Sequence, residues 1–340
     1  MTKETDLDRR QLMTGIALAG TAMAAGQAGA QTGEQADAKS ALAGDSLKGK
    51  SILITGCSSG FGRLGAEHYA RLGAKVFATM RNLPRAEGDE LAALAKSDGL
   101  DITVLEIDVT SDEQVAEGVA AALEATGGTL DVLVNNAGIS TSGPIEAQDM
   151  EATKLLFDTN VFGPQRMMRA VMPAMRKAGS GQIFNVSSQL GRVMIPGFGQ
   201  YSPTKFALEA MSEQFAYETV QHGIDVTIIQ PGGYPTKIWD NQAPLSGALK
   251  ARLPDDLLAD YPALTARMGV AGGGGGETDP IDVPRAIAEI IAMPRGKRPL
   301  RRPVHPGNRP QVPINEVSAK QQIAMLGDSL YGPWIKDVLD

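Results

Sequence analysis

The chain predicts a single α/β domain built on a doubly wound, mainly parallel sheet of about seven strands, with helices on both faces. Three observations predict it. Short, near-continuous apolar runs alternate with segments of helical periodicity from Ser51 to Gln230, the pattern of strands covered on both faces by crossover helices. The first apolar run ends in a glycine-rich turn, Thr55-Gly-Cys-Ser-Ser-Gly-Phe-Gly62, that opens a helix. Right-handed crossovers between successive parallel strands then wind the sheet in the Rossmann manner.

Each element follows in order. Ser51 to Thr55 reads as the first strand and Phe61 to Leu72 as the helix after it, ended by Gly73. Lys75 to Met80 is a second strand, Arg85 to Lys96 a helix, Ile102 to Ile107 a strand, Asp112 to Ala125 a helix and Leu130 to Asn135 a fourth strand. A long helical region runs from about Asp149 to Lys177, with Gly163-Pro164 placed to bend or interrupt it. Gln182 to Val186 is a fifth strand, Tyr201 to Gln221 a helix and Ile224 to Gln230 a sixth strand. Two stretches break the alternation. Gly232 to Asp279 carries scattered apolar residues and the run Gly272 to Gly276, and reads as a mobile insertion forming a lid. After a helix over Val283 to Met293, one more strand is expected near Pro299 to Val304. Arg295-Gly-Lys-Arg-Pro-Leu-Arg-Arg302 then reads as a solvated edge.

With 340 residues, 43% of them hydrophobic, the chain can bury a sizeable core. Its formal net charge of -7 argues against a nucleic-acid footprint, which needs a basic patch. Cys57 is the only cysteine, so no intrachain disulfide can form, and no Cys/His cluster has metal-ligand spacing. The N-terminus opens with Arg9-Arg10, followed by an uncharged Ala/Gly/Thr-rich segment from Gln11 to Gly33 that contains Ala28-Gly-Ala30. Residues 1–30 resemble a twin-arginine (Tat) export leader, which places the mature protein in the periplasm; an unprocessed leader on a cytoplasmic protein is the alternative. Residues 31–48 read as a linker, and 49–340 as the folded domain. The leader's glycines make it a poor membrane span.

The motifs carry the chemistry. In the turn Thr55 to Gly62, glycines let backbone approach a pyrophosphate, and the helix that follows offers free N–H groups and a positive dipole end. Gly56, Ser58, Gly60, Phe61 and Gly62 are therefore candidate cofactor residues. The second strand ends in Thr79-Met80-Arg81-Asn82, with no acid before Glu87. An acid there would meet NAD's ribose hydroxyls, whereas an arginine accommodates a 2′-phosphate; Arg81 therefore favours NADP over NAD. Tyr201 and Lys205 stand four residues apart on one helix face. A neighbouring cation favours the phenolate and brings the phenol pKa toward the operating pH. Pro203 sits comfortably only in a first turn, so the helix starts between about Phe198 and Ser202. Tyr201 then lies near the positive end of the helix dipole.

Further motifs stand at the strand ends: Asp108-Val109, Asn135-Asn136-Ala137-Gly138, Ser187-Ser188, and Pro231-Gly232 followed by Thr236, with Asn160 in the long helix. Together with the glycine turn and Tyr201-x-x-x-Lys205, these make the sequence resemble a classical short-chain dehydrogenase/reductase over nearly all of residues 49–310, loosely in its 17β-hydroxysteroid and retinol dehydrogenase branch. The resemblance implies that Asp108 and Val109 meet the adenine, and that Asn136, Ala137 and Gly138 line the cofactor ribose while Asn135 braces the sheet. Pro231, Gly232 and Thr236 would hold the nicotinamide end. It makes Tyr201 the proton donor or acceptor, and Lys205 the residue that binds the nicotinamide ribose and lowers the tyrosine pKa. Ser188, thirteen residues before Tyr201, would bind the substrate carbonyl. Asn160 would hold a relay water. It also implies a homodimer or homotetramer.

The expected activity is hydride transfer between NADP(H) and a carbonyl/alcohol pair. Apolar residues from Trp239 to Met268, with Met194, Ile195 and Phe198, point to a hydrophobic small-molecule substrate. Two other classes are a non-catalytic NADP-binding regulator, which loss of the Tyr/Lys pair would have indicated, and an epimerase or dehydratase on a related fold. The Gly-x-x-x-Gly-x-Gly spacing and the short substrate region disfavour the latter.

Overall fold

A computed structural model describes residues 42–339; the leader and most of the linker lie outside these residues. Strands β1 (Ser51–Ile54), β2 (Lys75–Met80), β3 (Ile102–Glu106), β4 (Val132–Asn135), β5 (Gly181–Val186), β6 (Ile224–Pro231) and β7 (Arg301–Val304) form one sheet in the order β3-β2-β1-β4-β5-β6-β7. Every neighbouring pair is parallel. The strand order reverses between β1 and β4, and a crevice opens there beyond the carboxyl ends of the strands.

The helices are α1 (Gly60–Arg71), α2 (Ala86–Asp98), α3 (Asp112–Glu124), α4 (Met150–Phe157), α5 (Gly163–Ala178) and α6 (Tyr201–Thr219). These are followed by α7 (Ile238–Lys250), α8 (Asp255–Asp260), α9 (Pro262–Thr265), α10 (Asp282–Ala292), α11 (Gln311–Leu326) and α12 (Gly332–Leu339). On one face of the sheet, Ala66 and Tyr69 of α1 and Ile287, Ile290 and Ile291 of α10 pack onto Ile52, Ile54, Val76 and Val134. On the other, Val115 and Val119 of α3 and Met167, Met168 and Val171 of α5 pack onto Leu53, Phe77, Leu133 and Ile183. Alternate strand residues thus enter opposite cores, which is why the strands read as unbroken apolar runs.

Four expectations change. The long helix is two helices, α4 and α5, joined by a π turn over Asp158–Phe162, with Pro164 in the first turn of α5, where its missing N–H costs nothing. The insertion is not a loose loop. It folds into α7, α8 and α9 and is fastened to the body: the Ser142 N–H donates to Ser246 Oγ (2.8 Å), Arg252 pairs with Asp149 (2.8 Å), and the Tyr261 hydroxyl donates to Glu146 (2.6 Å). Its glycine run is a tight cover, because a Cβ on Gly274 would lie 2.5 Å from the Trp239 ring and one on Gly275 2.2 Å from the backbone at Tyr234-Pro235. The tail of the expected linker belongs to the domain, since Leu47 is buried and its N–H donates to Leu72 O (2.8 Å). Finally, β7 is an edge strand, but Arg301 is not solvated: its side chain is buried against Glu209 and Glu213. Among the described residues no helix is long and apolar enough to cross a membrane.

Candidate active site

The crevice is a cleft of about 820 Å³ that runs from the glycine turn to the lid. Its floor is the junction of β1 and β4. The Thr55 hydroxyl accepts the N–H groups of Asn136 and Ala137 (3.0 Å each), and Asn136 Nδ2 donates to Thr55 O (2.8 Å). The Asn136 side chain is therefore a strap under the turn. Gly62 lies beneath the same turn, where a Cβ would stand 2.3 Å from Gly56 O and 2.6 Å from Asn136 Nδ2. Asn135 Nδ2 donates to Asn185 Oδ1, and Asn185 Nδ2 to Ser212 Oγ (2.8 Å each), which ties β4 to β5 and on to α6.

Of the sequence-predicted residues, Gly56, Ser58, Gly60 and Phe61 line the cleft at the turn. Arg81, Asp108 and Val109 line its end at β2 and β3, and Asn136, Ala137 and Gly138 its middle. Ser188, Tyr201, Lys205, Pro231, Gly232 and Thr236 line the part nearest the lid. Gly62 and Asn160 sit behind this surface. Both amide hydrogens of Asn160 are engaged, with Ile139 O (2.9 Å) and Thr204 Oγ1 (3.1 Å), and its Oδ1 accepts the Ile139 N–H (2.9 Å). The side chain is thus a tether between the loop after β4 and the first turn of α6, and it has no hydrogen left to donate to a water.

Residues missed in the sequence also line the cleft: Ser59, Arg85, Gln189 and Lys237. Arg85 and Lys237 had a signal, a second arginine four residues beyond Arg81 and a lysine directly after Thr236. Arg85 forms a two-pronged pair with Glu87 (2.9 and 3.0 Å), which holds that carboxyl well below its ordinary range. Arg81 is exposed and makes no ion pair among the described residues.

Tyr201 is the first residue of α6, as the position of Pro203 requires. Ser188 Oγ accepts the Leu190 N–H (3.1 Å) and lines the same part of the cleft as the Tyr201 phenol. Lys205 Nζ donates to Val186 O (2.9 Å) and stands 5.5 Å from the centre of the Tyr201 ring. The electrostatics differ from the expected lowering of the tyrosine pKa. Burial pushes the Tyr201 phenol up to about 12, opposed by the Ser188 hydroxyl. Burial likewise brings Lys205 down to about 8, opposed by Glu209. Desolvation dominates at both residues because each charged form loses its water. Toward the lid the walls are apolar: Phe198 sits between the rings of Tyr201 (6.4 Å) and Trp239 (6.1 Å), with Ile195, Leu245 and Leu264 around them. Met194 is exposed outside the cleft, and Met268 packs the lid onto the body beside Ala152 and Leu249.

The cleft fits a dinucleotide: the turn is cleared of side chains at Gly56 and Gly62, and the N-terminus of α1 opens onto it. Among the described residues no His/Cys/Asp/Glu group could hold a metal ion. Burial of Lys205 has a consequence for stability. The unfolded chain holds this proton up to 10.5 and the folded chain only to about 8, so unfolding takes up a proton in between and stability rises with pH. The unfolding free energy of the wild type, minus that of Lys205→Met, is expected to rise by on the order of 2–3 kcal/mol between those pH values, as measured by urea denaturation.

The short chain dehydrogenase family model matches residues 50–245. Human retinol dehydrogenase 8 is 38% identical over 191 residues, 55% of this chain and 60% of that protein, so the similarity spans less than two thirds of the relative. A short-chain dehydrogenase/reductase from Burkholderia phymatum, solved in complex with NAD, superposes with a TM-score of 0.65 at 25% identity, covering 82% of this chain and 95% of that one. A metagenomic short-chain oxidoreductase in complex with NADP does so with a TM-score of 0.59 at 26% identity, over 77% and 99%. The parallel sheet agrees with these matches, and the chain belongs to the short-chain dehydrogenase family.

Proposed function

We propose that this protein is an NADP-preferring oxidoreductase that interconverts a carbonyl compound and its alcohol, with Tyr201 as the acid/base. The observation that carries the reading is the meeting of Ser188, Tyr201 and Lys205 on the wall of the cleft that begins at the glycine turn. A nicotinamide cofactor bound there supplies or accepts the hydride. The protein's part is to orient the substrate and manage charge and proton at oxygen. Ser188 Oγ accepts the Leu190 N–H, which orients the hydroxyl, and its one hydrogen is the donor offered to the substrate oxygen when substrate is bound. The Tyr201 phenol is protonated at neutral pH, as any phenol is and the more so with its pKa raised, and stands ready as a donor to a developing alkoxide. Lys205 uses one hydrogen on Val186 O; two remain, for the cofactor ribose and for the phenolate as it forms.

Arg81, exposed and without an ion-pair partner among the described residues, supports NADP; Arg85 is neutralised by Glu87. The apolar wall of Phe198, Trp239 and Leu264 supports a hydrophobic substrate. The resemblance of residues 1–30 to a twin-arginine leader supports export to the periplasm with cofactor already bound, since that pathway carries folded proteins.

Tyr201→Phe is expected to lower NADPH-dependent carbonyl reduction at least a hundredfold with cofactor affinity kept; full activity in this variant would refute the mechanism. Arg81→Ala is expected to weaken NADP(H) binding about tenfold or more and leave NAD(H) binding unchanged, read by titration of cofactor fluorescence. Export is checked by mass spectrometry of the N-terminus after cell fractionation: intact Met1 in the cytosol alone would sink it.

A further inference from the structure

The stripe of α6 that carries Tyr201 and Lys205 continues, one turn at a time, to Glu209 and Glu213. Glu209 is 1% exposed, which is rare for a carboxylate and costly unless it is paired. Its partners come from three different segments. Oε2 accepts from Arg301 Nε on β7 (2.8 Å), and Oε1 accepts from Gln230 Nε2 on β6 (2.8 Å). Glu209 lies beside the turn at Gly191, where a Cβ would stand only 3.0 Å from the glutamate's Cγ and would also crowd Lys205 O and Ser187 Oγ. Gln230 immediately precedes Pro231-Gly232, and its Oε1 in turn accepts from Asn315 Nδ2 on α11 (2.7 Å). Gly191 follows Ser188 by three residues.

We propose that Glu209 is a positioning residue: it locks together the segments that carry Ser188, Tyr201–Lys205 and Pro231-Gly232, and its carboxylate is the counter-charge of Lys205. Glu213 shares Arg301 (2.5 Å) but is otherwise engaged, by the Tyr217 hydroxyl (2.5 Å). The remaining charged group that faces the cluster is Arg192, on the loop after the Ser188 turn. Arg192, Arg301, Glu209 and Glu213 balance in formal charge, but Glu209 stands nearer Lys205, one helical turn away. Burial lowers the Lys205 pKa and Glu209 opposes it. Without that carboxylate the Lys205 ammonium deprotonates at lower pH, and any step that needs it is lost earlier as pH rises.

This inference rests on the proposed reaction only for its kinetic arm. NADPH affinity, by cofactor fluorescence, and kcat/KM for carbonyl reduction are measured against pH, together with the thermal midpoint, for Glu209→Gln, Glu213→Gln and Glu209→Asp. Both glutamine variants lower the midpoint, because both disturb Arg301. The expected result is that Glu209→Gln moves the alkaline limb down by at least one pH unit, while Glu213→Gln leaves it in place. Glu209→Asp keeps the charge but not the reach; it is expected to retain the wild-type limb and lose kcat about tenfold. Equal limbs in Glu209→Gln and wild type, or equal displacement in Glu213→Gln, would overturn the proposal. Should Glu209→Gln not fold, a displaced limb in Glu209→Asp overturns it and a retained limb with lowered kcat upholds it. The binding limb needs no substrate, so a protein that reduces no carbonyl compound would sink the proposed function and still decide the role of Glu209.

Discussion

The structure depends on the close approach of two parallel strand ends at the point where the strand order reverses. The carboxyl ends of β1 and β4 are fastened there by one hydroxyl, Thr55 Oγ1, which takes two successive N–H groups, and by one amide, Asn136 Nδ2, which returns a bond. Such bonds matter less for their strength than for leaving no buried polar group unpaired at a chain reversal. The approach is possible only because Gly56 has a φ of 75° and no side chain; a Cβ would meet Ala137 Cα at 2.9 Å. Everything on the floor of the cleft is placed by this clamp. A second tether, Asn160, then carries the position of the loop after β4 across to the first turn of α6.

Placement alone does not make Tyr201 reactive. Burial governs both members of the pair, raising the phenol and weakening the lysine's hold on its charge. This is what a low-dielectric cleft does to ionisable groups that have too few partners. Opposing it are Ser188 beside the phenol and Glu209 one turn beyond the lysine. The active end of the cleft is therefore coupled, through Glu209, Gln230 and Asn315, to β7 and α11.

Much of this was legible in advance. β2 spans Lys75–Met80, as its apolar run predicts, and β5 and β6 differ from expectation by one residue. A parallel strand buried on both faces must be apolar throughout, so its signal is local. The glycine turn was legible for the same reason: its requirement for clearance is written in residue type. The lid was not. α7 contains Pro244 and mixes polar and apolar residues, because it packs one side on the body and shows another to the cleft. The glycine run suggested mobility, whereas it serves clearance above Trp239. Arg301 misled in the same way, since nothing next to it in sequence reveals that Glu209 and Glu213 wait on a helix some ninety residues earlier.

The sequence by itself determined the family, the order of strands and helices and the identity of the residues around the cleft, because hydrophobic period, glycine placement and the Tyr-Lys spacing act over a few residues. Only the tertiary structure decided what environment those residues meet. It showed that Asn136 and Asn160 act as straps, that burial raises the Tyr201 phenol, and that a buried carboxylate stands behind the pair. The reason is physical: desolvation and ion pairing depend on atoms that come from distant parts of the chain, and no local pattern records them.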